Sequence, residues 1–107
     1  MTNRQPPRSN EAEQGFLGCI LLGAMDEAVA LEPKVSEEWF ADHRHQLLWE
    51  SFISMMNANK PVDIQTLVHY LGEKKTLSKM GAPSYLTELQ DSTPSAFKLH
   101  YWYDILC

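Results

Sequence analysis

Pro6-Pro7-Arg8-Ser9-Asn10-Glu11-Ala12-Glu13-Gln14-Gly15-Phe16-Leu17-Gly18-Cys19-Ile20-Leu21-Leu22 is the stretch whose reading decides the fold. Two prolines interrupt any regular structure before it, and a small polar residue follows at the right place to cap a helix. Ser9 or Asn10 can accept a hydrogen bond from an otherwise unpaired backbone N–H. With Asn10 as the cap, Glu13 falls at the third helical position and completes a capping box. Glu11 and Glu13 sit well against the positive end of the helix dipole. Phe16, Ile20 and Gly23 follow helical spacing, as do Leu17, Leu21 and Ala24. The expectation is an amphipathic first helix from Asn10 to about Met25, preceded by a flexible tail over residues 1–8.

The rest of the chain repeats the pattern of cap, apolar face and stop. Asp26 can cap a short second helix that Pro33 ends. Ser36-Glu37-Glu38 opens a turn presenting Trp39 and Phe40. Asp42 starts a longer helix through His45, Leu48, Trp49, Phe52, Ile53, Met55 and Met56, which Asn57-Ala58-Asn59-Lys60-Pro61 ends. Asp63 caps a helix whose face is Ile64, Leu67, Val68 and Leu71, with Gly72 at its end. A polar link carries Leu77 and Met80, and Pro83 opens a helix holding Tyr85, Leu86 and Leu89. Thr93-Pro94 starts the last helix, with threonine as the cap and proline at the first helical position. No segment alternates as a strand does. The reading is all-α: a compact orthogonal bundle of about six short helices in one domain over residues 9–107. The last helix carries Phe97, Leu99, Tyr101, Trp102, Tyr103, Ile105 and Leu106. A helix that is apolar nearly all round calls for burial on more than one side, or for a partner.

Composition limits the function. The chain of 107 residues suits a single domain. At 44% hydrophobic and 21% charged it folds rather than staying disordered. A net charge of -5 argues against a nucleic-acid-coating role, which needs a clustered basic surface. No apolar run reaches membrane-spanning length, and the polar, proline-rich start lacks the apolar core of a signal peptide. Cys19 and Cys107 form no CxxC pair. Cys19 reads as a small core residue and Cys107 as an exposed one, and the pair fits a reducing, cytoplasmic setting.

Chemical motifs were weighed against plainer readings. Gly18 and Gly23 have the glycine spacing of a phosphate-binding loop, but Ala24-Met25 follow where lysine and serine or threonine are required. Small residues at a close helix approach explain both glycines better. Asp42-His43-Arg44-His45 suggests a metal, yet histidines two apart do not share a helix face. His69 and His100 are isolated, so a structural or surface role is preferred, with His45 packing near Trp49 four residues on. There is no glycine-flanked serine elbow. Glu37-Glu38 and Glu11/Glu13 read as helix-start charges rather than paired catalytic carboxylates. Met55-Met56 is core filler before it is a soft binding surface. Lys74-Lys75 and Lys79 read as a solvated loop. Neither a catalytic constellation nor a metal site is expected in this chain.

Three segments carry a resemblance. Pro7 to Gln14 with Leu17-Gly18 and Leu21-Leu22, then Pro61-Val62-Asp63-Ile64-Gln65-Thr66-Leu67 with Leu71, then Gly81, Tyr85-Leu86, Leu89 and Thr93-Pro94-Ser95-Ala96, occur in order and at the spacing of the N-terminal domain of bacterial replicative DNA helicase. His45 and Trp49 fit the His-x3-aromatic pattern of that DnaB-like family, and the resemblance covers residues 6 to 100. Where the family has Asn-Ile after the third segment, this chain has Phe97-Lys98-Leu99. The resemblance implies a helical head whose last helix begins a helical hairpin. It implies that heads pair and build a ring collar that recruits primase, with ATP, magnesium and most DNA contact belonging to a motor domain absent from this chain. It points to a non-catalytic interaction domain with primase and helicase subunits as partners, in a homo-oligomer, a dimer through the C-terminal helix. The alternative is a stand-alone head-like regulator that binds a helicase or primase. The self-association or partner surface is expected at Tyr101, Trp102, Ile105 and Leu106.

Overall fold

In the computed structural model, residues 9–73, 82–93 and 95–106 are described. Among them every regular element is helical: α1 Ser9–Cys19, α2 Met25–Ala30, α3 His43–Asn57, α4 Ile64–Glu73, α5 Ala82–Asp91 and α6 Leu99–Leu106, with 3-10 turns at Glu37–Trp39 and Ala96–Lys98. The all-α reading therefore holds. Leu77, Met80, Lys74-Lys75, Lys79, Cys107 and the tail over residues 1–8 lie outside the described residues.

Helix α1 is the centre of the bundle. Ala12, Phe16, Leu17, Cys19, Ile20 and Leu21 are all buried, and α3, α5 and α6 pack around them. Burying each large apolar side chain of this kind contributes about 1.5–3 kcal/mol. Phe16 meets the rings of Phe40 and Trp49 at centroid distances of 6.3 and 6.1 Å. Two glycines let neighbours approach closely. A Cβ on Gly15 would collide with the Trp102 indole of α6, and one on Gly18 would come within 2.7 Å of the Leu89 carbonyl oxygen and strike the Thr93 side chain.

The first helix ends earlier than its periodicity suggests. Instead of running to Met25, it widens into a π-type turn, Ile20–Ala24, where Gly23 takes φ 115°. Nothing lies within 4 Å of where a Gly23 Cβ would stand. Gly18 is thus a packing glycine, as expected, while Gly23 is there for its backbone conformation. Helix α2 then starts at Met25, with Asp26 in its first turn rather than at its cap.

Local signals set α3 and α4. The Asp42 carboxylate accepts the Arg44 N–H at 2.9 Å and caps α3. At the far end Asn59 turns left-handed at φ 62°. Its N–H bonds Met56 O at 3.0 Å, and Lys60 N–H bonds Met55 O at 2.9 Å. That pair of bonds is the Schellman arrangement, and asparagine tolerates the backbone it requires. Asp63 accepts the Thr66 N–H at 2.8 Å and opens α4. Met55 is fully buried and Met56 packs against the core, so the core-filler reading of this pair is correct.

A candidate partner-binding face on the last helix

The chain enters α6 through a cap different from the expected one. Thr93 does not cap the last helix; its hydroxyl donates back to the Leu89 carbonyl at 3.0 Å and closes α5. Ser95 supplies the cap, its Oγ accepting the Phe97 N–H at 3.0 Å, and the 3-10 turn leads directly into α6. The two caps fix both the depth and the rotation of α6 against α1.

That rotation sorts the aromatic side chains. Leu99, Tyr103 and Leu106 point inward and are buried. The Tyr103 hydroxyl donates to the Pro33 carbonyl at 2.7 Å, and its ring lies 5.7 Å from that of Trp39. Phe97, Tyr101 and Ile105, spaced by four, line the outward face at 96%, 56% and 40% exposure. Trp102 lies on the border, half-buried over Gly15, its buried Nε1 without a hydrogen-bond partner among the described residues. Tyr101 and Trp102 meet edge to face at 4.8 Å, and the Lys98 ammonium stands 5.4 Å from the Tyr101 ring centroid and 5.9 Å from that of Trp102.

Of the four residues expected at the surface, Tyr101 and Ile105 are on it and Trp102 borders it. Leu106 is not: at 7% exposure it belongs to the core, one turn from Tyr103 and two from Leu99 on the inner face. Phe97 was missing from that set, although its spacing with Tyr101 and Ile105 is a legible signal. A single outward row of two aromatics and an isoleucine has the chemistry of a protein-contact surface.

A second constellation lies inside. Glu13 does not turn back to Asn10 in a capping box; it is fully buried and crosses to the start of α3. Its carboxylate accepts Ala41 N–H at 2.8 Å and Asp42 N–H at 3.3 Å, and faces His45 Nδ1 at 2.7 Å. A carboxylate only accepts, so Nδ1 carries the proton. At the far side of the ring, Nε2 meets the Tyr85 hydroxyl 2.5 Å away. His45 also stacks on Tyr85, at 6.0 Å and 15°. The Arg44 guanidinium covers the other side of Tyr85 at 3.9 Å while pairing with Asp42 at 2.9 Å.

This network has the order of a catalytic relay, but its surroundings describe a brace. Burial pushes the Tyr85 phenol up, away from the phenolate a nucleophile would need. The hydrogen bond from Arg44 holds the Asp42 carboxyl below the usual carboxylate range. Every group on Glu13 and His45 is spent joining α1, α3 and α5. Burial likewise lifts the Cys19 thiol to about 11. Among the described residues no group of three or more His, Cys, Asp or Glu side chains is placed to hold a metal ion. No helix there is long and apolar enough to cross a membrane.

Comparison with known proteins decides the family. The family model described as "DnaB-like helicase N terminal domain" matches residues 5–107. The chain belongs to that family. It is 32% identical over 101 residues to the replicative DNA helicase DnaB of Geobacillus stearothermophilus, covering 94% of this chain and 22% of the relative. It is 29% identical over 106 residues to the replicative DNA helicase DnaC of Bacillus subtilis, covering 99% of this chain and 23% of the relative. The chain thus spans less than a quarter of the length of these curated relatives. The crystal structure of the N-terminal domain of DnaB helicase from Mycobacterium tuberculosis superposes with a TM-score of 0.83 at 26% identity, covering 95% of this chain and 73% of that one. The DnaB-type domain therefore accounts for the helical bundle as a whole.

Proposed function

We propose that this DnaB-type domain is the non-catalytic interaction module of a replicative DNA helicase. It holds helicase subunits together in a ring collar and recruits primase. The outward row Phe97, Tyr101 and Ile105, with Trp102 at its edge, carries the reading: these are large apolar side chains in water on a helix whose inner face is already satisfied. Binding that covered the row would bury aromatic area of the kind that anchors interfaces. ATP and magnesium would belong to a motor domain. In this chain Gly18 is filled by helix packing and Gly23 by a turn, which supports the absence of a nucleotide loop. The charge of -5 supports weak affinity for DNA. The setting that fits these roles is the cytoplasm.

The test is a calorimetric titration of the 107-residue chain with the primase of the same genome, alongside sedimentation of the chain alone. Saturable heat for the wild type, lost in Tyr101→Asp/Ile105→Asp at unchanged helicity, is the expected result. Equal binding by that variant would remove the reading.

A further inference from the structure

An open groove of about 610 Å³ lies between helix α3 and the segment that enters the Glu37–Trp39 turn. Val35 and Glu37 line one wall, and Trp49, Glu50, Ile53 and Ser54 line the other. We infer that this groove docks a short arginine-bearing segment of another protein, whose apolar part lies on Val35, Trp49 and Ile53 and whose guanidinium forks between Glu37 and Glu50.

Three observations select that occupant. First, the groove is built before anything enters it. Trp49 is held against Phe16 and Phe40, with ring centroids 6.1 and 6.2 Å away, and offers the groove only a small part of its surface. On the other wall Ser36 caps the turn, its Oγ accepting the Glu38 N–H at 3.3 Å, and so sets the backbone of Glu37. A preformed site spares a ligand much of the ordering cost of binding. Second, the two carboxylates face each other without a cation. Both are exposed, they hydrogen-bond to one another, and no ion pair among the described residues reaches either. Lys34, next to Val35 in the chain, is engaged elsewhere: it pairs with Glu32 at 3.2 Å and donates to the Val29 carbonyl at 3.0 Å. The hydrogen bond to Glu50 and the charge of that neighbour push the Glu37 carboxyl up, as like charges do when brought together. Third, apolar side chains and an anionic pair share one groove. Arginine matches both, because its methylenes cover apolar surface while its head stays at the charged rim. Its planar fork of N–H donors serves two carboxylates at once, which a compact ammonium does less well. The volume falls within the roughly 300–1,000 Å³ of ligand sites, so residues beside the arginine enter with it. No residue is shared with the α6 row, so docking here and partner binding there can fail separately.

The test is an NMR titration of the isotope-labelled 107-residue chain with the peptide acetyl-Ala-Leu-Arg-Leu-Ala-amide, up to about 10 mM, a range suited to a contact this small. Saturable amide shifts should appear over residues 35–37 and 49–54. Glu37→Gln and Glu50→Gln should each weaken binding about fivefold, the upper range for losing one exposed ion pair. Both glutamates are exposed, so each variant should melt as the wild type does or slightly above it, a repulsion having been removed. Citrulline in place of the arginine keeps the shape without the charge and should abolish saturation. Lysine in its place should bind more weakly than arginine, and so should a peptide with alanine for both leucines. An arginine peptide that gives no saturable shift, a citrulline or lysine peptide that binds equally well, glutamine variants that both bind as the wild type does, or shifts centred on Glu88 and Asp91 would each overturn the inference.

Discussion

Helices α1 and α6 pack against each other, yet they end in opposite situations. Residues 12 to 21, in α1 and the turn that follows it, are buried apart from the partly exposed Gln14, and even a carboxylate, Glu13, lies inside. Helix α6 buries Leu99, Tyr103 and Leu106 and leaves Phe97, Tyr101 and Ile105 in water. The difference is what each helix meets. Gly15 and Gly18 let neighbours close over α1, whereas α6 closes over α1 on one face and has nothing described on the other. On the proposed reading one helix serves stability and the other recognition, and substitutions in the two should separate along that line.

The largest effect is expected inside. Glu13→Ala leaves His45 Nδ1 and two backbone N–H groups without their acceptor, a loss of about 3–5 kcal/mol for a broken buried pair. A domain of this size holds only about 5–15 kcal/mol in total, so thermal melting should show a large drop or no folded state. Gly18→Val should follow, at about 1–3 kcal/mol, because the new side chain meets the Leu89 carbonyl and Thr93 rather than yielding space. Tyr85→Phe removes the hydroxyl that meets His45 Nε2 and Gln14 and should lower stability by about 1–3 kcal/mol in chemical denaturation. A loss confined to Gly18→Val would mean that the Glu13 brace is incidental.

Asp42 sharpens the same contrast by pH. Its carboxyl is held low by Arg44, so the folded state binds its proton more weakly than the unfolded chain does. Its stabilisation is therefore full above the ordinary aspartate value of about 3.9 and lost as pH falls through the lower folded value. The stability gap between wild type and Asp42→Asn should be constant near neutrality and shrink in acid. A gap that widened in acid would contradict the assignment. The smallest structural effect belongs to the outward row: Tyr101→Ser should change stability by no more than about 0.5 kcal/mol.

How much of this was legible depends on sequence distance. The bounds of α3 and α4 follow from Asp42, Asn59 and Asp63, because caps and left-handed turns act over three or four residues. The burial of Glu13 was not legible. Its partners lie 28 to 32 residues away, and a glutamate in the first turn of a helix reads equally well as a local cap. The same holds for His45: the spacing of four that sets it near Trp49 is visible along a helix, and the Tyr85 partner 40 residues on is not. At Gly23 the periodicity continued through a break that only its backbone angle reveals. On α6 the apolar row was legible, but its rotation was not. Ser95 rather than Thr93 sets the helix start, and that placement turns Leu106 inward and Phe97 outward.

Helix α6 is proposed as a recognition face that the fold does not need. The direct measurement is binding of wild type and of Tyr101→Asp/Ile105→Asp to the primase of the same genome, read beside their thermal melts. The prediction is melts that nearly coincide, with affinity for primase lost in the variant. A variant that unfolds would place the row in the core, and one that folds and binds as the wild type does would show that recognition lies elsewhere.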